Sequence, residues 1–188
     1  MFALVRHGET QANIDNIFQG RQDGYGLNEL GRRQAALIVS GLKEYSWNIV
    51  ISSPAKRARQ TSEIISHKLN TPIGLSDLLE ERNWGLWEGL TKQQIKNKWP
   101  KDYPLRKTET FTPPEGESLN DIRNRVKDFV IEHQSFILDK TIIVTHKYTS
   151  KVFRELIGGD NEEHEHNKLY IYGEKECLQL LKNLGIQT

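Results

Sequence analysis

Three short apolar runs constrain this chain more than any other feature. They are Phe2–Val5 (FALV), Trp47–Ser52 (WNIVIS) and Lys140–Thr145 (KTIIVT). Each is too short for a core helix and has a continuous apolar centre, which suits a strand buried on both faces. Between and after them, Glu29–Tyr45, Ala55–Lys68, Glu117–Phe136 and Thr149–Ile157 carry apolar residues at helical spacing. Strands alternating with helices predict an α/β fold: a three-layer α/β/α sandwich around a mainly parallel sheet. Asn28 reads as the N-cap of the first helix. Ser53 and Pro54 read as the N-cap and first residue of the second. Gly158-Gly159 reads as the stop of the fourth. Leu169–Tyr172 and Leu178–Leu181, around Gly173–Glu176, read as a hairpin.

A length of 188 residues predicts one domain over 1–188. Thr91–Trp99 reads as a short helix stopped by Pro100. With it begins an excursion at about 92–115, where Pro104, Pro113 and Pro114 also fall, and which reads as lid-like. A net charge of +1 argues against a general nucleic-acid binder, which carries an overall basic excess. No apolar stretch approaches the ~20 residues of a membrane helix. Cys177 stands alone, so no internal disulfide and no multi-cysteine zinc site is expected. The N-terminus lacks a signal-peptide pattern, and the expected location is cytoplasmic.

In open α/β sheets ligands sit outside the carboxyl ends of the strands. Here the first strand runs into Arg6-His7-Gly8 and the third into His146. The second runs into Ser52-Ser53-Pro54, with Lys56-Arg57-Ala58-Arg59 just beyond. Gathered at one edge, these residues make two imidazoles and several cations. That is a pocket for an anion, and planar guanidinium groups suit a phosphate. His164 and His166 sit in a polar stretch and read as solvated rather than metal-binding. His67 and His133 have no partner motif.

Leu4-Val5-Arg6-His7-Gly8-Glu9-Thr10, with Asn13 beyond it, resembles the signature of the histidine phosphatase superfamily, the phosphoglycerate-mutase-like group. The likeness continues in order through most of the chain. Ile17-Phe18-Gln19-Gly20 and Leu30-Gly31-Arg32-Arg33-Gln34-Ala35 are similar to the next motifs. Ser52–Thr61 resembles the arginine motif, Leu79–Gly89 the acid motif and Pro114–Leu119 a further segment. Val144-Thr145-His146 stands where the second histidine belongs.

The resemblance implies a metal-independent phosphomonoesterase that works through a phosphohistidine on small phosphorylated metabolites, with no cofactor. It implies that His7 is the nucleophile and that Arg6, Arg57 and His146 hold the phosphoryl oxygens. Asn13, Gln19 and Gly20 fall in the binding motifs. The residues alone do not separate Glu80, Glu81 and Glu88 as the acid. The family spacing, four residues before the glycine at Gly85, selects Glu81. This chemistry suits the substrate: phosphoryl transfer depends mostly on positioning and electrostatics, and a covalent intermediate divides one slow step into two.

The chain departs from the family where Lys147-Tyr148 follow His146, since glycine is common there. Asp23–Leu27 also departs, from a more compact turn. Two other functions remain open at this stage. A cofactor-dependent phosphoglycerate mutase has a similar acid segment, but commonly shows Tyr where Trp84 stands and a longer insertion. A non-catalytic phosphate-binding module is expected to have lost one of His7, Arg57, Glu81 or His146. Specificity is expected between Lys92 and Pro114, through Trp99, Tyr103, Arg106, Lys107 and Phe111. The oligomeric state stays open.

Overall fold

The computed structural model describes residues 1–134, 139–158 and 168–185. Among the described residues five strands form one sheet: β1 (Phe2–Arg6), β2 (Ile49–Ser52), β3 (Ile73–Leu75), β4 (Thr141–Thr145) and β5 (Leu169–Tyr172). Their order across the sheet is β3-β2-β4-β1-β5. All neighbours are parallel except β5, which runs antiparallel to β1.

Alternation along the strands builds the layers, because successive side chains leave a sheet on opposite faces. Phe2, Leu4, Ile51 and Ile143 join one core cluster. Helices α5 (Leu119–Glu132), α6 (Lys147–Ile157) and α7 (Glu174–Asn183) cover it through residues such as Phe129, Phe153 and Leu180. Ala3, Val5, Val50, Ile142 and Val144 join the other cluster, beneath α2 (Glu29–Leu42) and α3 (Lys56–Leu69). The expected three-layer sandwich is the fold.

Asn28 caps α2 as expected, accepting from the Gly31 amide at 2.7 Å. Other local readings need correction. Leu178–Leu181 is no strand: it lies within α7, where Cys177, Leu180 and Leu181 are buried on one helical face. Glu176 accepts from the Gly173 amide and starts that helix, so the glycine is an N-cap, not a hairpin turn. Ser53 is not the cap of α3; that helix begins at Lys56, after Ala55. β3 has no counterpart in the sequence reading, because its apolar ends Ile73 and Leu75 are exposed at the sheet edge. α6 starts at Lys147, two residues before the expected Thr149, and ends at the left-handed Gly158. Phe136, Gly159, His164 and His166 lie outside the described residues.

A short helix, α1 (Gln11–Ile14), follows β1. The segment after Gly89 opens with α4 (Lys92–Lys98), capped by Thr91, then a tight turn at Tyr103–Lys107. Arg82, wholly buried, holds the far part of this segment. It donates to the carbonyls of Arg106 (2.6 Å), Phe111 (2.7 Å) and Glu117 (2.8 Å). Its guanidinium also lies 4.3 Å from the centre of the Trp84 ring. Trp84, Trp87, Ile95 and Tyr103 form a third apolar cluster beneath the segment, with Trp99 and Phe111 packed against it.

Candidate active site

The site begins with strand register. β1 and β4 pair so that Arg6 lies opposite Thr145, which places His7 and His146 at adjoining strand ends. The His7 amide donates to the Thr145 carbonyl at 3.0 Å, and the two rings meet edge-on with centres 5.1 Å apart. On the other side of β4, the Ser53 amide bonds the Val144 carbonyl. Ser53 Oγ then lies 2.8 Å from His146 Nε2. The Ser53 hydroxyl thus orients an imidazole instead of capping a helix.

His7 Nδ1 is 2.7 Å from the Gly8 carbonyl oxygen. A carbonyl only accepts, so Nδ1 carries a proton, and in the neutral ring the lone pair is on Nε2. The loop holding His7 packs against α2 with no room to spare. A Cβ at Gly8 would lie 2.3 Å from the Gly31 carbonyl oxygen, and one at Gly31 would lie 2.1 Å from that of Glu9. Gln34 Oε1 accepts the Glu9 amide. Thr61 Oγ1 accepts the Gly8 amide and donates to the Arg57 carbonyl, tying the loop to α3.

Arg57 is 1% exposed. It donates to the carbonyls of Gly20 (2.6 Å) and Gln22 (3.1 Å). Gly20 has a positive φ of 49°, and a Cβ there would collide with Glu88. Glu88 Oε1 accepts the amides of Arg21 and Trp84, so it fastens this loop to the acid segment. Burial lowers the Arg57 guanidinium from its ordinary value, while Glu81, Glu88 and Asp23 act in the opposite direction.

The three carboxylates left open by the sequence part company here. Glu81 borders a cleft of about 780 Å³. Its Oε2 accepts from the Lys147 amide at 3.0 Å, and its Oε1 from the amides of Tyr148 (3.1 Å) and Arg82 (2.9 Å). Glu80 pairs instead with Arg21 at 3.1 Å, outside the cleft lining. Glu88 serves the loop.

Arg6, His7, Asn13, Gln19, Gly20, Arg57 and Glu81 all border the cleft. Asn13 Oδ1 accepts from Thr10, turning its amide nitrogen away from that residue. His146 does not border the cleft. It is wholly buried behind His7, and burial, then Arg57, His7 and Arg6, hold its imidazole well below the ordinary range. Its imidazole is therefore neutral near pH 7. Of the expected specificity residues, Tyr103, Arg106 and Lys107 line the cleft, whereas Trp99 and Phe111 pack beneath it. Lys92, Trp84, Lys147, Tyr148 and Asn16 also line it. Asn16 carried no sequence signal, since its position depends on how the turn after α1 folds back, and Tyr148 entered only as part of the departure after His146. No group of His, Cys, Asp and Glu among the described residues could hold a metal ion. No helix among them is long and apolar enough to cross a membrane.

A family model described as the histidine phosphatase superfamily (branch 1) matches residues 2–173. The chain is 34% identical over 161 residues to the uncharacterized phosphatase PhoE of Bacillus subtilis, covering 85% of this chain and 78% of that one. It is 33% identical over 170 residues to a 2,3-bisphosphoglycerate-dependent phosphoglycerate mutase of Bartonella henselae, covering 85% and 82%. Among solved structures, Bacillus stearothermophilus YhfR superposes with a TM-score of 0.81 at 26% identity, over 89% of this chain and 88% of that one.

Proposed function

The chain belongs to the histidine phosphatase superfamily, and from that premise we propose how its own residues hydrolyse a small phosphate monoester. His7 Nε2, the lone-pair nitrogen of the neutral ring whose Nδ1–H bonds Gly8, attacks phosphorus. The bond from phosphorus to the alcohol oxygen breaks, and that oxygen takes a proton from Glu81. Glu81, now a carboxylate, takes a proton from water; the water oxygen attacks phosphorus and the bond to His7 breaks. Inorganic phosphate leaves, with both residues restored. Such an exchange of acid and base roles by one carboxyl is ordinary general catalysis.

Arg6 and Arg57 supply the charge that the phosphoryl oxygens need, and Asn13 and Gln19 are placed to donate beside them. Gly20 acts at one remove, through the carbonyl that holds Arg57. His146 is neutral, its imidazole held low by burial. A dianion held by Arg6 and Arg57 offsets two of the charges that lower the His146 imidazole, and so favours its protonated form. The observation that carries this reading is the adjoining strand register, which sets a single-tautomer His7 between His146 and the cleft that Arg6, Arg57 and Glu81 border.

The test is rapid quench with p-nitrophenyl phosphate in the presence of a chelator. The expected result is an acid-labile, base-stable phosphoenzyme, absent in His7→Ala. Normal labelling of His7→Ala would overturn the assignment. The likeness to a mutase keeps phosphoryl transfer to a second alcohol as the competing outcome. Identifying whether phosphate goes to water or to an added phosphoglycerate separates the two.

A further inference from the structure

Arg21 does not line the cleft, yet it joins two groups that the reaction must hold in register. Its neighbours Gly20 and Gln22 are the residues whose carbonyls receive the Arg57 guanidinium. Residues 19–22 form a hydrogen-bonded turn, the Gln22 amide donating to the Gln19 carbonyl at 3.1 Å. The Arg21 amide donates to Glu88 at 2.9 Å. The Arg21 side chain goes to the acid segment. Its Nε stands 3.1 Å from Glu80 Oε2, and its Nη2 donates to Glu117 Oε2. Glu80 is the residue before Glu81.

The rest of the fold fixes the acid segment residue by residue. Arg125 pairs with Glu117 at 2.6 Å and donates to the Leu78 carbonyl at 2.7 Å. The Thr145 hydroxyl donates to the Leu79 carbonyl at 2.7 Å, and that of Thr149 to the Glu80 carbonyl. These donors stand on α5, β4 and α6. The turn that holds Arg57 reaches the segment through Glu88, at the Trp84 amide, and through Arg21, at Glu80. The second contact is the one that adjoins the acid. The side chains of Arg21, Glu80 and Glu117 are 33%, 21% and 12% exposed, so their attraction is screened less than that of a surface pair. Burial raises the Glu80 carboxyl from its ordinary value, and Arg21 is the first influence opposing it.

We infer that Arg21 is a positioning residue: acting through Glu80, it sets the Glu81 carboxyl against the phosphoryl group that Arg57 holds. This rests on the phosphatase reading above. The test is the rate of phosphoenzyme formation, by rapid quench, from glycerol 3-phosphate and from p-nitrophenyl phosphate. The alkyl ester needs the proton of Glu81 and the aryl ester hardly does. A loosened Arg57 slows both alike, and a loss of folded protein does the same, so both cancel in the ratio. In Arg21→Met the alkyl-to-aryl ratio should fall by roughly 10- to 100-fold, the cost of an acid that is present but misplaced. Glu80→Met leaves the pair of Arg21 with Glu117 in place and should lower the ratio to the same extent. The double substitution should lower it no further, because the two residues act as one contact. Glu80→Gln keeps an oxygen for the guanidinium and should keep most of the ratio. Arg123→Met is the control: Arg123 is also 33% exposed and pairs with two glutamates, but these are Glu109 and Glu155, on neither the Arg57 turn nor the acid segment. An unchanged ratio in Arg21→Met or in Glu80→Met, an equal fall in Arg123→Met, or losses that multiply in the double substitution would overturn the inference. Failure of the phosphatase reading shows separately, as no phosphoenzyme from either ester in the wild type.

Discussion

Replacing Arg82 with methionine isolates what one buried cation does for the segment over the cleft. Methionine matches much of the arginine's length and apolar stem but has no donors. The substitution orphans the carbonyls of Arg106, Phe111 and Glu117 together and removes the contact with Trp84. Hydrogen bonds to a charged group contribute about 1.5–3 kcal/mol each, so the three sum to roughly 4–9 kcal/mol. Two effects reduce that. The guanidinium no longer has to be desolvated, a cost that shows as its lowered pKa, and carbonyls near the surface recover water. A net loss of about 3–5 kcal/mol remains, within the range for removing one side of a buried charged contact. Urea unfolding measures it. With a slope of about 2 kcal/mol per molar, the midpoint should fall by roughly 1.5–2.5 M. Limited proteolysis should also speed up within residues 103–117. Arg82→Lys should rescue little, since an ammonium cannot reach three carbonyls with a planar fork. A midpoint shift corresponding to less than about 1 kcal/mol, with an unchanged cleavage pattern, would refute the claim that Arg82 holds this segment.

Glu81→Gln should slow phosphoenzyme formation strongly with an alkyl phosphate and weakly with p-nitrophenyl phosphate, the contrast reaching about 10²–10⁴-fold by rapid quench; the same selective pattern in Glu80→Gln would transfer the role. His146 is held neutral by burial, so its lowered folded value costs stability once the unfolded chain binds the proton more readily. Its contribution is complete above about pH 6.5 and declines as the pH falls below that, at no more than about 1.4 kcal/mol per unit. His146→Gln should flatten that part of the stability profile, and phosphate should oppose the decline in the wild type; identical profiles would count against a neutral His146. Gly31→Ala forces a Cβ to within 2.1 Å of the Glu9 carbonyl oxygen and should lower kcat with a folded circular dichroism spectrum, whereas Gly24→Ala, which meets nothing within 4 Å, should leave kcat unchanged.

The layers were legible because buried parallel strands are continuously apolar: FALV, IVIS and TIIVT need no partner to be recognised. The edge strand Ile73–Leu75 was not, since three half-wet residues carry no period. α7 was misread because four residues around a glycine offer the same local signal as a turn, and only Cys177, Leu180 and Leu181 meeting one core decide it. In the site, the motif order led to residues that line one cleft. What the motifs do not encode is depth. His146 is wholly buried behind His7, with its Nε2 on the Ser53 hydroxyl, a contact across 93 residues. Lys147 gave only a departure from a pattern, and its amide meets Glu81 because the helix after β4 starts there.

β4 lies between β1 and β2, yet it is the last of these three to be synthesised. A chain emerging in order has already made His7, Arg57 and Glu81, but β1, which leads into His7, and β2, which leads into α3 and Arg57, have no hydrogen-bonded contact with each other until residues 141–145 slide between them. Closing loops of that span is slow relative to forming the local helices. Turnover recovered during refolding should therefore lag behind helical circular dichroism and follow the insertion of that central strand.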